Sequence, residues 1–251
     1  MTHPVVRSVR VAPAPMLIAS GAAIAAAAAA IAVLKWPHLV GQGVSRLSRD
    51  RVLLATRVRS PMVALTFDDG PHPATTPRLL DTLAEHGAHA TFFVLGEQAR
   101  SNRVLLERIV REGHELGNHL MTDSPSIRLP PDEFSRQLRE AHEILSPYGP
   151  IRFFRPGSGW FTVRMLRDAA QLGYVCALGS VSPLATTHQN PVRVADRLDR
   201  RCVPGAVVVL HEGTAERQTV CELTDRLLSR LAVRGLRATT LCELAGLPVH
   251  P

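Results

Sequence analysis

The chain has 251 residues, of which 45% are hydrophobic and 20% are charged, a balance typical of globular proteins that bury a sizeable core. The formal net charge is +7, and Lys35 is the only lysine, so the positive charge comes almost wholly from arginine. These arginines are interspersed with acidic residues, and aromatic residues amount to only 4%, which argues against a nucleic-acid-binding protein.

The N-terminal region is predicted to direct the protein to a membrane. Residues 1–15 are basic, and residues 16–34 (MLIASGAAIAAAAAAIAVL) contain no charge. In a helix this segment spans about 28 Å, close to the hydrocarbon thickness of a bilayer. Its small residues also offer cleavage sites, so it is either a transmembrane anchor or a signal peptide. The flanking positive charges do not decide the orientation; we favour a main domain outside the cytoplasm, with residues 16–34 contacting the membrane if they are not cleaved, over the alternative of a buried Ala-rich helix in a soluble protein.

Residues 35–60 are assigned to a linker; from Gly41 to Ser60 the sequence is mixed and basic without an apolar period, which suits a linker or an N-terminal cover segment. From 61 to 248, short apolar runs alternate with amphipathic segments, which indicates parallel strands joined by helices. About seven such units predict an α/β fold, a distorted (β/α) barrel. The predicted strands are 62–66, 90–94, 114–118, 152–154, 174–178, 206–210 and 237–241, and the predicted helices are 75–87, 97–113, 130–145, 163–173, 192–200 and 220–235.

Four cysteines lie in the C-terminal third of the chain, and none forms a CxxC pair. This spacing argues against a zinc ribbon or a redox motif. Two alternatives stay open, namely two disulfides in an oxidising compartment or four free thiols, some of them buried.

Polar residues directly follow four of the predicted strands. The sequence FDDG follows the first, His119 the third, Arg155 the fourth and His211 the sixth. In parallel barrels the carboxyl ends of the strands share one rim, where catalytic residues gather. The sequence therefore predicts a site at this rim.

The stretch GNHLMTD adds a possible pair of metal ligands, His119 and Asp123. Residues four apart share one face of a helical turn, so both side chains can reach the same ion. The alternative is that Asp123 caps the turn that follows it and leaves fewer ligands.

Four segments in chain order carry a family resemblance: MVALTFDDGPHPATTPRLLDTLAEHGAHATFFVLGEQA, REGHELGNH, FFRPGSGW and VVVLHEG. They resemble the successive motifs of the polysaccharide deacetylase family, the NodB-homology domain of carbohydrate esterase family 4. The resemblance covers about residues 61 to 245. It implies a distorted barrel and removal of acetyl groups, usually from N-acetylglucosamine in chitin or peptidoglycan.

The resemblance also implies roles for individual residues. Asp68 would be the general base, oriented by Arg155, and His211 the general acid. The metal, zinc with cobalt, manganese or nickel as alternatives, would be bound by Asp69, His119 and Asp123. Ser158, Trp160 and Leu210 would contact the substrate: Ser158 beside the oxyanion, Leu210 in the acetyl pocket, and Trp160 as a replacement for a pocket wall.

Two departures from the family pattern limit this interpretation. Asp123 stands where a second histidine is usual, which favours harder metals such as manganese. The segment GSVSPLATTHQN lacks the Asp and Trp of the family's fourth motif, of which the Asp normally tunes the catalytic histidine. The sequence therefore leaves two alternatives to a deacetylase of GlcNAc glycans: an O-acetyl esterase or related amidohydrolase, and a catalytically impaired glycan-binding relic.

Overall fold

A computed structural model describes residues 52–56, 58, 60–183 and 190–247. The predicted basic segment 1–15, the predicted anchor or signal peptide 16–34 and most of the predicted linker 35–60 lie outside the described residues. Within the part that is described, no helix combines the length and apolarity needed to cross a membrane.

The described residues form one curled sheet of parallel strands, which confirms the predicted α/β barrel. All seven predicted strands are present, each shifted by a few residues, and the strand order is β1-β6-β5-β4-β3-β2-β7 with β8 paired to the start of β2. The strands are β1 Val52–Leu53, β2 Met62–Asp68, β3 Thr91–Val94, β4 Glu115–Asn118, β5 Phe153–Phe154, β6 Val175–Ala177, β7 Val207–His211 and β8 Arg237–Thr239.

The first strand is a correction to the predicted linker. Residues Val52–Leu53 pair with Cys176 and Ala177 of β6, so the sheet begins before residue 61. Two residues are too few to display a strand period in the sequence, which explains why this strand was missed.

Helices cover the outside of the sheet, except the last one, which packs on the concave face. They are α1 Thr76–Glu85, α2 Gly96–Ser101, α3 Arg103–Arg111, α4 Pro131–Leu145, α5 Val163–Gln171, α6 Pro191–Asp199, α7 Thr219–Val233 and α8 Leu241–Ala245. The prediction of one helix over 97–113 was wrong, because the chain breaks at Asn102. Its side-chain amide donates to the carbonyls of Gln98 (2.9 Å) and Pro71 (3.3 Å), and such local bonds compete with helical hydrogen bonding.

Strand β2 shows how the sequence divides the core into two layers. Val63, Leu65 and Phe67 pack in the larger cluster with the helices, whereas Ala64 packs in a smaller cluster on the concave face. Alternation along a strand puts every second residue on the same face, so Thr66 and Asp68 follow Ala64. Helix α8 contributes Leu241 and Leu244 to the same concave cluster, and the polar end of β2 lies at the opposite rim.

Candidate active site

A cleft of about 560 Å³ opens at the carboxyl ends of the strands. It brings together the residues that the sequence placed at this rim, although they are far apart in the chain. Its lining includes Asp68, Asp69, His119, Asp123, Arg155, Ser158, His211 and Arg217.

Asp68 and Arg155 form a buried ion pair at the floor of the cleft. Arg155 Nη1 lies 2.5 Å from Asp68 Oδ1, and the two side chains are each only 4% exposed. The guanidinium also donates to Thr66 Oγ1 (2.9 Å) and to the Ala177 carbonyl (2.8 Å), and it lies over the ring of Phe93. Burying a charge is costly unless it is paired and hydrogen-bonded, and this network meets that requirement. Asp68 is therefore held in one orientation.

His211 lies at the mouth of the cleft, opposite Asp68. Its Nε2 is 3.7 Å from Asp68 Oδ2, and its side chain is 42% exposed. The preceding Leu210 is buried and lines an adjoining cavity of about 210 Å³ together with Val220 and Leu223. An exposed imidazole beside an apolar cavity can donate a proton to a leaving group while an apolar part of the substrate outside that leaving group lies in the cavity.

Asp69 and His119 meet on the other side of Asp68. His119 Nε2 lies 3.2 Å from Asp69 Oδ1, and both side chains are buried. Burial alone would raise the pKa of Asp69, but hydrogen bonds from His119 and Arg217 outweigh it and lower that pKa. Burial opposes charging of His119, yet the neighbouring carboxylates Asp69 and Asp68 raise its pKa. Both pKa shifts favour an ionised Asp69 that faces a protonated His119.

This pair fits a divalent metal ion. His119 Nδ1 lies 2.7 Å from the Arg155 carbonyl, which can only accept, so Nδ1 donates, and Nε2 can offer a lone pair to an ion once it gives up the proton it shares with Asp69. The 3.2 Å between Nε2 and Asp69 Oδ1 is near the separation of about 3.4 Å expected for two ligands of a tetrahedral zinc ion. The third predicted ligand, Asp123, is exposed on the wall of the same cleft. Among the residues described, no three His, Cys, Asp or Glu side chains are grouped closely enough to hold an ion.

Three residues near the cleft adopt left-handed backbone conformations without being glycine. They are Asp69 (φ 74°), Leu120 (φ 66°) and Ser158 (φ 65°), which follow the ends of β2, β4 and β5. Such conformations cost about 1–2 kcal/mol each for ordinary residues. Strain of this kind gathers where side-chain placement matters more than stability.

Sequence reasoning missed Arg217 and Glu212. Arg217 Nη1 contacts Asp69 Oδ2 and donates to the Glu212 carbonyl (2.6 Å). The Glu212 carboxylate is fully buried and accepts from Thr75 (3.0 Å) and Thr76 (2.7 Å), and burial raises its pKa to about 7. Neither residue belongs to a periodic pattern, and Glu212 adjoining His211 was the one available signal.

The remaining predicted site residues differ in whether they line the cleft. Ser158 lines the cleft, whereas Trp160 is 71% exposed and is not among the described residues that line either cavity. From the segment that lacks the family's fourth motif, Gly179 and Ser182 line the cleft, while His188 lies outside the described residues. All four cysteines are free and buried, which supports the free-thiol alternative.

A parallel β/α barrel with an aspartate, a histidine and a candidate metal pair at its carboxyl rim has the organisation of a hydrolase. The family model for polysaccharide deacetylases matches residues 55–177. A peptidoglycan-N-acetylglucosamine deacetylase of Bacillus cereus is 31% identical over 187 residues, which cover 73% of this chain and 87% of that protein. A chitooligosaccharide deacetylase of Bradyrhizobium is 34% identical over 194 residues, 75% of this chain and 88% of that protein. The chain belongs to the polysaccharide deacetylase family.

Solved structures agree with this assignment. A peptidoglycan N-acetylglucosamine deacetylase is similar with a TM-score of 0.77 at 27% identity, covering 82% of this chain and 98% of that one. A family 4 acetyl xylan esterase of Clostridium thermocellum in complex with cobalt has a TM-score of 0.68 at 27% identity, covering 76% and 94% of the two chains. A family 4 pseudoenzyme of Bacillus anthracis has a TM-score of 0.70 at 26% identity, covering 77% and 68%.

Proposed function

We propose that this family member is a divalent-metal-dependent hydrolase that removes N-acetyl groups from GlcNAc-containing glycans, either chitin-type oligosaccharides or peptidoglycan. The observation that carries the proposal is the joint placement of Asp68, His211 and the Asp69–His119 pair around one cleft. The deacetylase relatives support the substrate class.

Asp68 is the general base in this proposal. Amide hydrolysis needs a water deprotonated as it attacks the acetyl carbonyl, and a buried carboxylate aimed into the cleft can accept that proton. Arg155 occupies Oδ1 of Asp68, while Oδ2 faces His211 across the cleft. The oxygen that accepts the proton is therefore Oδ2.

His211 is the general acid. When the tetrahedral intermediate collapses, the amide nitrogen leaves as an amine and needs a proton, which an imidazolium can supply. Leu210 and the apolar cavity beside it would receive the acetyl methyl group. Acetate and the free amino sugar are the products.

Asp69 and His119 would hold the metal ion. A bound divalent ion such as zinc would polarise the acetyl carbonyl and lower the pKa of water towards about 7. The cobalt-bound esterase structure supports a divalent ion in this family, and it does not decide between zinc and cobalt, manganese or nickel here.

Acetate release from N-acetylglucosamine oligomers by the full-length protein tests the proposal. We expect release by the wild-type protein and a loss of at least about 100-fold in kcat/KM for Asp68→Asn, the size of a general-base contribution. Asp225→Asn removes an exposed carboxylate that pairs with His86, and it should leave the activity unchanged.

Two rival functions have their own outcomes in the same assay. Faster release from acetylated xylan than from the GlcNAc oligomers would favour an O-acetyl esterase, the activity named for one structural neighbour. Binding of the oligomers without any acetate release would favour a glycan-binding relic. The relic has specific support, because the chain lacks the fourth-motif acid and one structural neighbour is a pseudoenzyme.

Asp123 is proposed as the third protein ligand, since it lines the same cleft as Asp69 and His119. Asp123→Ala should then weaken zinc binding, and Asp123→His should preserve it, because imidazole and carboxylate bind zinc at similar distances. Unchanged zinc affinity in Asp123→Ala would instead show that Asp123 acts as a turn residue.

We also propose that residues 16–34 carry the catalytic domain across the membrane, where cell-wall glycans are accessible. The support is the uncharged length of this segment. Protection of the domain from protease added to spheroplasts would contradict this location.

A further inference from the structure

Among the described residues that line the cleft, Arg217 is the one cation that the proposed hydrolytic steps leave without a role. It contacts Oδ2 of Asp69, the oxygen that faces away from His119. The side chain is 23% exposed and also donates to the Glu212 carbonyl (2.6 Å). Arg217 therefore joins the turn after β7 to the residue that follows β2.

The turn that carries Arg217 is fixed against the end of β2 independently of this ion pair. The amide of Glu212 donates to the Asp68 carbonyl (3.0 Å), and Gly213 packs so closely that a Cβ there would lie 2.4 Å from the Asp69 carbonyl oxygen. The Glu212 carboxylate accepts from Thr75 and Thr76 at the start of α1, the helix that follows Asp69 in the chain. The backbone that carries the Arg217 side chain is thus held in a fixed position relative to Asp69.

Asp69 itself needs such support. It stands in the left-handed region with φ 74°, and its carboxylate has two oxygens that could compete for one ion. With Oδ2 occupied by Arg217, only Oδ1 is left to share an ion with His119 Nε2. Hydrogen-bond partners behind a ligating carboxylate fix its orientation and tune the ion.

We propose that Arg217 is a positioning residue that holds Asp69 as a one-oxygen ligand of the metal, an inference that rests on the proposed function. A guanidinium near a cation also repels it, so the sign of the effect has to be decided. Among the described residues, three carboxylates and two guanidinium groups line the cleft, which leaves a net charge of −1 when its two histidines are neutral, the form in which His119 can bind a metal. We therefore expect orientation to outweigh repulsion.

Calorimetric titration of Zn2+ and Co2+ into the metal-stripped full-length protein tests the inference. Arg217→Met should bind both ions about 10–100-fold more weakly, the usual effect of losing a partner behind a ligand. Arg217→Lys, which keeps the charge but not the planar fork, should recover part of the affinity. The visible spectrum of bound Co2+ should change in Arg217→Met, because Asp69 would bind through a different geometry.

Arg226→Met is the matched control, since Arg226 is an exposed arginine of α7 paired with Glu222 and should bind metal like the wild-type protein. Equal or tighter binding by Arg217→Met, with an unchanged Co2+ spectrum, would overturn the inference and leave the proposed function standing if the wild-type protein binds metal and releases acetate. No metal binding by the wild-type protein would overturn both.

Discussion

The two ends of the barrel differ in which residues adopt left-handed backbone conformations. At the amino ends of the strands, turns that need a left-handed residue use glycine, as at Gly113 before β4 and Gly235 before β8. At the carboxyl ends glycine also serves, at Gly159 and Gly213, but Asp69, Leu120 and Ser158 adopt this conformation with side chains attached. The difference indicates that the carboxyl rim has side chains at left-handed positions at a cost in stability, whereas the amino ends have glycine at such positions.

Buried polar groups show the same contrast. At the amino end, Glu115 accepts from Thr91 (2.6 Å) and from the Cys242 amide (3.2 Å), and burial raises its pKa. At the rim, Asp68 is balanced by a full positive charge on Arg155. Asp68 thus has a guanidinium partner beside an open cleft, whereas Glu115 has only neutral hydrogen-bond donors.

The largest expected effect comes from breaking the rim's buried ion pair. Arg155→Met leaves Asp68 buried without a partner, which should lower the free energy of unfolding by about 3–5 kcal/mol. Chemical denaturation measures this loss. Arg164→Met is the control, because its pair with Asp132 is exposed and should be worth less than about 1 kcal/mol.

A double variant sharpens this prediction. Adding Asp68→Asn to Arg155→Met removes the buried carboxylate that has lost its partner. The double variant should therefore lose clearly less free energy of unfolding than the sum of the losses in the two single variants. Simple additivity would mean that Arg155 stabilises the barrel by packing on Phe93 rather than by pairing with Asp68.

The next effect concerns the amino end and depends on pH. Burial, reinforced by the positive charges of His89 and Arg108, lowers the pKa of His114 from 6.5 to about 4. Between these values the unfolded chain binds a proton that the folded chain does not, so this contribution to stability is present above pH 6.5 and is lost as the pH falls towards 4. Between pH 7 and pH 4 the wild-type protein should lose up to about 3 kcal/mol of unfolding free energy through His114, and His114→Gln should be spared this loss. Denaturation at pH 7 and pH 4 measures both.

His86→Gln is the control, since it keeps His114 in place and removes a histidine that contacts Asp225. It should follow the pH dependence of the wild-type protein. The account of His114 fails if His114→Gln loses as much stability between pH 7 and pH 4 as the wild-type protein does.

The smallest effects test the backbone comparison itself. Gly235→Ala should lose about 1–2 kcal/mol through the left-handed conformation alone, because a Cβ at Gly235 would meet no atom within 4 Å. Ser158→Gly should be neutral or more stable by up to about 1 kcal/mol, since the relief of strain is partly offset by chain entropy. A marked loss in Ser158→Gly, measured by thermal unfolding, would show that the rim backbone is unstrained.

The sequence was most informative where burial acts on a whole segment. Continuous apolar runs such as 206–210 predicted strands, and the shared rim of parallel strands predicted that Asp68, His119, Arg155 and His211 would meet. Strand β1 was missed because two residues show no period. Arg217 was missed because its role depends on one contact with Asp69, 148 positions away in the chain, and no local pattern records such a contact.

The most direct test of the metal-dependent hydrolase is acetate release by the metal-stripped full-length protein as Zn2+ or Co2+ is added. The account predicts no release without metal, restoration that saturates at one bound ion per chain, and loss of both binding and release in Asp69→Asn. Undiminished acetate release by the stripped protein, or by Asp69→Asn, would contradict it.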